Sequence, residues 1–376
     1  MKSAFQSEAA PLAWVHCASL GEFEQGRPII ERFKDEFPSY KILLTFFSPS
    51  GYEVRKNYAL ADYIFYLPWD TPDNARKFVE LTKPQIAFFV KYEFWHNYIK
   101  TLEAHRIPIL SVSSIFRPDQ IFFKSYGGFF RRILERFNHF FVQNEKSEEL
   151  LNKIGISNTS TAGDTRFDRV DQIVSQSKEI EIAQKFKNGE NVFVVGSCWP
   201  EDLEVLAPHI NSNAGKLKFI IAPHELKESF LVEIENALSV ETVRYSEVDT
   251  NVDSADVMII DNVGMLSALY RYGEYAYVGG AFGKGLHNIL EAACYGVPIF
   301  FGNKNYLKFR EAQDLIVRGG AFEVSDYADF KTKYESLINR PENYLLACEV
   351  TKEYVAENLG ATKKILDHCH KLLDSK

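Results

Sequence analysis

The sequence predicts an α/β protein made of two doubly wound parallel-sheet domains in tandem. Three observations lead there. The chain has 376 residues, beyond the roughly 100–200 that one domain usually takes and enough for two cores. Short, near-continuous apolar runs alternate with longer amphipathic ones, as expected of strands covered on both faces by crossover helices. The alternation occurs twice, on either side of a polar, helix-like stretch from Asp171 to Gly189.

In the first series the predicted strands are W-V-H-C-A from Trp14, K-I-L-L-T-F-F from Lys41, Y-I-F-Y-L from Tyr63, I-A-F-F-V from Ile86, I-P-I-L-S-V from Ile107 and H-F-F-V-Q from His139. In the second they are N-V-F-V-V-G-S from Asn191, K-F-I-I-A-P-H from Lys218, V-M-I-I-D from Val257, Y-A-Y-V-G-G from Tyr275 and V-P-I-F-F-G from Val297. This gives an N-terminal domain over 1–175 and a C-terminal domain over 176–376. The stretch Glu342 to Leu373 is helical in pattern and either finishes the second domain or returns to the first. Ligands of open α/β sheets bind beyond the carboxyl ends of the strands, so the expected site is a cleft between the two sets of strand ends.

Composition narrows the classes. Hydrophobic residues make up 46% and charged residues 25%, as in soluble globular proteins. A net charge of −8 argues against broad binding to nucleic acid. The five cysteines, Cys17, Cys198, Cys294, Cys348 and Cys369, have no Cys-x-x-Cys or Cys/His spacing, which points away from zinc or a disulfide framework and towards the cytosol. No apolar run approaches the roughly 20 residues of a membrane span, and the first dozen residues lack a signal-peptide layout.

The strongest local constellation is Y-V-G-G-A-F-G-K-G-L-H-N-I-L-E, from Tyr277 to Glu291. Gly279, Gly280, Gly283 and Gly285 let the backbone approach a ligand, and a helix starting near Asn288 would offer unpaired N–H groups to a phosphate. Asn288 with Glu291 also reads as a capping box that merely starts the helix. A second role for Glu291 is to accept hydrogen bonds from ribose hydroxyls. Three further strand ends face the same expected cleft: Ser197 in G-S-C-W, His224 in A-P-H, and Gly264 in D-N-V-G-M-L, which opens another helix. Each taken alone reads as structural, and their shared place in the βα order joins them.

In the first domain Glu22 and Glu93 are the candidate acids. Glu93 follows the strand I-A-F-F-V among aromatics, where partial desolvation raises a carboxyl pKa and makes a better base; the bland alternative is a charge at a helix N-terminus. Ser19-x-x-Glu22 is a capping box in pattern. Pro28 would then sit in the helix interior at a cost on the order of 3 kcal/mol, so a kink or a helix starting near Pro28 is expected to free Glu22. The stretch Ile115 to Phe137 interleaves aromatics with Arg117, Lys124, Arg131, Arg132 and Arg136. That mixture suits an anionic lipid surface or, more simply, a helix with a solvated face. Ser111, Ser113 and Ser114 just before it could equally bind an acceptor. The chain has no D-x-D, no P-loop and no G-x-S-x-G, and the first absence favours a donor that needs no metal.

Taken in order, W-V-H-C-A-S-L-G-E, F-F-S-P-S-G-Y-E, Y-L-P-W-D, K-Y-E-F-W-H-N, V-Q-N-E, G-D-T-R-F-D, G-G-A-F-G-K-G-L-H-N-I-L-E and G-V-P-I-F-F-G resemble the bacterial 3-deoxy-D-manno-octulosonic acid (Kdo) transferases over nearly the whole chain. The resemblance implies the GT-B architecture, two Rossmann-like domains facing across a cleft. It implies inverting, metal-independent transfer of Kdo from CMP-Kdo to a lipid A precursor, with no cofactor, on the cytoplasmic face of the inner membrane. By the family pattern Glu22 is the general base and Glu93 a second essential carboxylate. Ser19 and Gly21 belong to the acceptor side, with Arg117, Lys124, Arg131 and Arg132 towards the membrane. Ser197, His224, Gly264, Gly279, Gly280, Asn288 and Glu291 fall on donor motifs. The chain departs from the family where G-S-T-H becomes Gly196-Ser197-Cys198-Trp199, P-R-H becomes Ala222-Pro223-His224, and the Glu of D-x-x-G-E-L becomes Met265. Members usually begin with a hydrophobic anchor and a basic stretch, so either an anchor lies upstream of Met1 or the protein docks through surfaces such as Ile115 to Phe137. Two other readings stand beside this one: a GT-B transferase using another nucleotide sugar, and a non-catalytic lipid-binding relic of the fold.

Overall fold

The structure is a computed structural model that describes Phe5, residues 10–248 and residues 252–374. The expectations about a signal or anchor at the start of the chain fall largely outside the described residues. The chain divides into two compact units, Met1–Arg169 with Asn358–Lys376, and Val170–Glu357.

The first unit holds a parallel sheet of β1 (Leu12–Cys17), β2 (Lys41–Phe46), β3 (Tyr63–Tyr66), β4 (Ile86–Val90), β5 (Ile109–Ser114), β6 (His139–Val142) and β7 (Thr159–Thr161), in the order β3-β2-β1-β4-β5-β6-β7. Alternation of side chains across the pleat explains the near-continuous apolar runs. On β1, Leu12 and Trp14 enter one core cluster, while Ala13, Val15 and Cys17 enter the other. On β4, Ala87 and Phe89 divide from Ile86, Phe88 and Val90 in the same way.

The second unit repeats the plan with β8 (Val192–Cys198), β9 (Lys218–Pro223), β10 (Thr242–Arg244), β11 (Val257–Ile259), β12 (Tyr275–Val278), β13 (Ile299–Gly302) and β14 (Ala321–Val324), ordered β10-β11-β9-β8-β12-β13-β14. The first sheet's strand order reverses between β1 and β4; the second's two wings part between β8 and β12, with β11 set between β9 and the edge strand β10. These switch points are where crossovers leave to opposite sides and open a crevice at the carboxyl ends.

Two expectations need correction. The division falls at 169/170 rather than 175/176, and of the two alternatives left for the end of the chain it is the return that holds, with residues 358–376 joining the first unit. The return has a physical cause: Ala361, Ile365, Leu366 and Cys369 on the helix Ala361–Leu373 bury into the cluster of Ala13, Val15 and Phe141. Asp168 caps that helix from a distance, accepting the N–H groups of Gly360 and Thr362 at 2.6 Å each.

The second correction concerns Pro28. The helix Leu20–Glu36 contains it and neither starts there nor stops. Burial of Phe23, Ile29, Ile30 and Phe33 along one face outweighs the proline penalty. Gly26 lets this face close on the sheet, since a Cβ there would lie 2.9 Å from the Cys17 Sγ and 3.2 Å from a Val90 methyl.

Candidate functional site

In the first unit the candidate carboxylates leave the switch point. Glu22 lies in the first turn of the helix after β1, and the capping box forms: its Oε2 accepts the Ser19 N–H at 3.1 Å and also the Ser19 hydroxyl. Its Oε1 lies 3.8 Å from the Lys91 Nζ. Capping and a chemical role are therefore compatible, because one oxygen holds the turn and the other faces a cation. Gly21 is exposed in the same turn.

Glu93 follows β4. The helix there runs His96–Ala104 with Trp95 as N-cap, so Glu93 lies outside its first turn and is not a helix-end charge. Its Oε2 accepts the Trp95 indole N–H at 2.6 Å and lies 3.3 Å from the Nε2 of the fully buried His16. The other ring nitrogen of His16 meets the Thr45 hydroxyl at 2.8 Å, and Trp14 donates to the same hydroxyl at 2.8 Å. Glu22 and Glu93 are also close enough to Cys17 that, after burial, both push its thiol pKa up.

The sequence reading missed Lys91, His16 and Trp95. Lys91 has φ of 60° at the end of β4, a strained conformation for a residue with a side chain that often marks a functional turn. The run of serines is a correction: Ser111, Ser113 and Ser114 are buried and bonded internally, Ser113 to Thr165 at 2.9 Å and Ser114 to the Lys91 carbonyl at 2.8 Å. They line no acceptor surface.

The stretch from 115 to 137 splits. Phe116, Phe122, Ile133, Leu134 and Phe137 belong to the core, whereas Tyr126 is 75% and Phe129 48% exposed. Arg117 and Arg132 are exposed, Lys124 and Arg131 half-buried, and Arg136 pairs with Glu103.

In the second unit the switch point gathers the glycine loop. Gly279 donates to the Gly196 carbonyl at 2.9 Å. A Cβ on Gly279 would lie 2.2 Å from the Ser197 carbonyl oxygen, and one on Gly196 would lie 1.9 Å from the Tyr270 hydroxyl. Ser197 has φ of 51°, and Gly280 has φ of 93°. Asp202, buried in the helix Pro200–Ser212, ties these pieces together. It accepts the Gly280 N–H at 2.9 Å, the Trp199 N–H at 3.0 Å and the Tyr277 hydroxyl at 2.8 Å. Burial raises its pKa against those hydrogen bonds. Its place at the third position of a helix was the signal for it.

The helix expected to start near Asn288 runs Leu290–Ala293, with Ile289 as N-cap. Asn288 and Glu291 make no capping box; the Asn288 amide donates to Glu291 at 3.2 Å and its carbonyl accepts the Leu290 N–H at 3.3 Å. A helix this short has little dipole, so any anion here relies on side chains and loop N–H groups. Gly264, with φ of 91°, is exposed before another one-turn helix, Leu266–Leu269.

His224 donates its N–H to the Cys198 carbonyl at 2.9 Å, and its ring stacks on Trp199 at 4.4 Å and meets His287 at 4.3 Å. These rings help line a pocket of about 270 Å³ with Lys284, Gly285 and Lys308. Among the predicted donor residues only His224 lines it.

Comparison with known proteins adds what the chain is similar to. A family model described as "3-Deoxy-D-manno-octulosonic-acid transferase (kdotransferase)" matches residues 1–169. The chain is 28% identical over 334 residues to a 3-deoxy-D-manno-octulosonic acid transferase of Aquifex aeolicus, across 87% of this chain and 86% of that protein. It is 24% identical over 386 residues to the protein of the same name from Haemophilus influenzae, across 94% of this chain and 85% of the other. Among solved structures, UDP-GlcNAc 2-epimerase from Neisseria meningitidis bound to UDP-GlcNAc matches with a TM-score of 0.66 at 16% identity, over 96% of this chain and 100% of that one. The epimerase from Methanocaldococcus jannaschii matches with a TM-score of 0.59 at 15% identity, over 92% and 98%. These two likenesses concern the fold, the two-domain α/β GT-B architecture.

Proposed function

We infer that this chain, a member of the Kdo transferase family of glycosyltransferases, transfers Kdo from CMP-Kdo to a lipid A precursor, with inversion and without a metal. The observation that carries the reading is the pair of carboxylates, Glu22 and Glu93, leaving the β1/β4 switch point of a chain whose relatives bear that name.

In this reading the acceptor hydroxyl gives its proton to Glu22 as its oxygen bonds to the anomeric carbon of Kdo. The bond from that carbon to the phosphate oxygen breaks, and CMP leaves as a phosphate monoester. A general base needs a free lone pair within hydrogen-bond reach of the proton. Glu22 keeps Oε1 for that purpose while Ser19 fixes Oε2. Lys91 offsets the negative charge beside the acceptor, and Glu93, held by Trp95 and His16, orients a second acceptor group. Fixed donors and lysines at the glycine loop stabilise the departing phosphate, a role that preorganised charge can fill without a metal.

Among the described residues no helix is long and apolar enough to cross a membrane. We place the protein peripherally at the cytoplasmic face of the inner membrane, docked through Tyr126, Phe129 and the neighbouring cations.

Incubation with CMP-Kdo and a lipid A precursor tests the reading; it predicts CMP release together with a glycosylated lipid. Glu22→Gln is the decisive variant, because glutamine still completes a capping box but cannot take the proton. Folding and CMP binding are expected to survive while turnover falls by roughly 10²–10⁴, the usual share of a general base. Near-normal turnover would remove Glu22 from that role. Stabilisation by UDP in preference to CMP in a thermal shift would favour another nucleotide sugar.

A further inference from the structure

The carboxyl ends of three strands in the first sheet carry an aromatic strip. Trp69 follows β3, Phe47 follows β2 and Trp95 follows β4. The Phe47 ring meets Trp69 edge-on at 5.2 Å and Trp95 at 4.9 Å, and Trp95 donates its indole N–H to Glu93 at 2.6 Å. Phe47 and Trp95 are half-buried. Trp69 is 72% exposed, which leaves at least one face of its ring open. A lone exposed ring needs no explanation; this one ends a strip that reaches a carboxylate.

The open ring stands on rigid backbone. The Trp69 carbonyl accepts the Thr71 N–H at 2.8 Å and the Asn74 side-chain amide at 2.9 Å. On one side the Pro68 carbonyl accepts the Tyr98 hydroxyl at 2.9 Å. On the other, Asp70 accepts the N–H groups of Asn97 at 3.1 Å and Tyr98 at 3.2 Å, at the start of the helix after Glu93. Phe47 is held as well, its N–H donating at 3.1 Å to the carbonyl of Ala18, the residue before the Ser19 that fixes Glu22. Holding a large apolar ring in water forgoes the gain of burying it. It gives a ligand a preorganised contact, since little freedom is lost on binding.

Charge decides the class of ligand. The stretch from Tyr66 to Pro72 holds no cation, and the nearby Arg76 and Lys77 are paired with Asp73. Docking on anionic lipid uses such cations, so the strip is a poor membrane anchor. An acyl chain against Glu93 would strip water from a carboxylate without replacing its hydrogen bonds. A saccharide suits both parts. The C–H groups on one face of a pyranose pack against the negative face of an aromatic ring, while its hydroxyls donate to a carboxylate.

We propose that Trp69 and Phe47 form a saccharide platform, on which a pyranose ring of the acceptor packs by its apolar face with hydroxyls towards Glu93. The proposal rests on the transferase reading above and deepens it: the first unit holds the acceptor by its sugar, apart from the lipid contacts at Tyr126 and Phe129. Trp69 touches no reacting atom, so it acts on acceptor binding and not on proton transfer.

The test uses the full chain and the variants Trp69→Ala, Trp69→Leu and Trp69→Tyr. The hydrogen bonds that fix this loop do not use the indole, so all three are expected to melt as the parent does; leucine and tyrosine keep bulk against Phe47 should the alanine variant melt lower. Kinetics give KM for a lipid A precursor, and calorimetry gives the Kd of its deacylated saccharide. In the alanine and leucine variants both constants are expected to rise about tenfold, with kcat and the Kd for CMP within twofold of the parent. Tyrosine, which keeps an aromatic face, is expected to stay within about threefold. Partition onto vesicles of phosphatidylcholine and phosphatidylglycerol is expected to be the same in all. A saccharide Kd within twofold of the parent in Trp69→Ala, or a parent that binds no saccharide, overturns the proposal. So does a leucine variant equal to the parent, which would assign the ring to an acyl chain, and so does weakened vesicle partition with saccharide binding intact. Trp69-dependent saccharide binding without transfer of Kdo would leave the platform standing and remove the transferase reading.

Discussion

Two glycines of the proposed donor side, Gly264 and Gly279, do different physical jobs. At Gly264 the φ of 91° is left-handed, but no atom lies within 4 Å of a Cβ built there. Alanine costs only backbone strain, about 1–2 kcal/mol. At Gly279 the conformation is ordinary, but a Cβ would lie 2.2 Å from the Ser197 carbonyl and 2.5 Å from the Asp202 carboxylate. Alanine there must move strand-end backbone and the carboxylate that holds Gly280. Gly279→Ala is expected to destabilise the protein by about 1–3 kcal/mol and to weaken CMP binding. Gly264→Ala is expected to leave CMP binding within a few-fold of the parent. Equal losses of CMP affinity in the two variants would contradict this assignment. The glycines themselves were legible in Y-V-G-G-A-F-G-K-G, because a run of that composition after a strand has few other uses. Lys91 and His16 were not, since each acts through partners distant in sequence, such as Thr45 for His16; Asp202 left one local sign, its third place in a helix, while its partner Tyr277 lies 75 positions on.

At the scale of elements, the strands that sequence missed were β7 (T-S-T), β10 (T-V-R) and β14 (A-F-E-V). All three lie at sheet edges. An edge strand needs neither length nor two apolar faces, so it leaves little hydrophobic pattern to read. The glycine-loop helix begins at Leu290, just after Asn288 and not at it, and the Asn288 side-chain carbonyl takes the Leu290 N–H. The helix Pro200–Ser212 carries a titration that sequence also hid. Its His209 is buried among Phe193, Phe219, Phe330 and Tyr334, and burial, with some repulsion from Lys331, pushes its pKa down to about 4. Below about pH 6.5 the unfolded chain takes up a proton that the folded chain refuses, so stability falls as pH drops from about 6.5 towards about 4, by about 3 kcal/mol for this group. His139 and His287, also held at about 4, act in the same direction. Urea melts of the parent and of His209→Phe between pH 7 and 4.5 isolate the one group: the variant is expected to lose less stability on acidification. Parallel pH profiles would show that His209 does not carry this proton linkage.

At the scale of the whole molecule, sequence established the doubled α/β plan but left open where the last helix goes. Its apolar stripe fits any exposed sheet face, and the residue that caps it, Asp168, stands 192 positions before Gly360. In the fold the helix closes the first unit. Ile365 and Leu366 are at most 1% exposed, and burying side chains of that size contributes about 1.5–3 kcal/mol each. The sum is of the order of a domain's whole net stability of about 5–15 kcal/mol. A chain cut after Glu357 would leave Ala13, Val15 and Phe141 uncovered and Asp168 without its backbone partners. It is expected to lose amide-exchange protection across β1 to β6 while β8, β9, β12 and β13 keep theirs. Such a result would show that the first unit depends on residues encoded after the second, and that truncation from the C-terminus removes the Glu22 and Glu93 site before the glycine loop. Unchanged protection over residues 12–142 in the cut chain would mean that the first sheet holds without its returning helix.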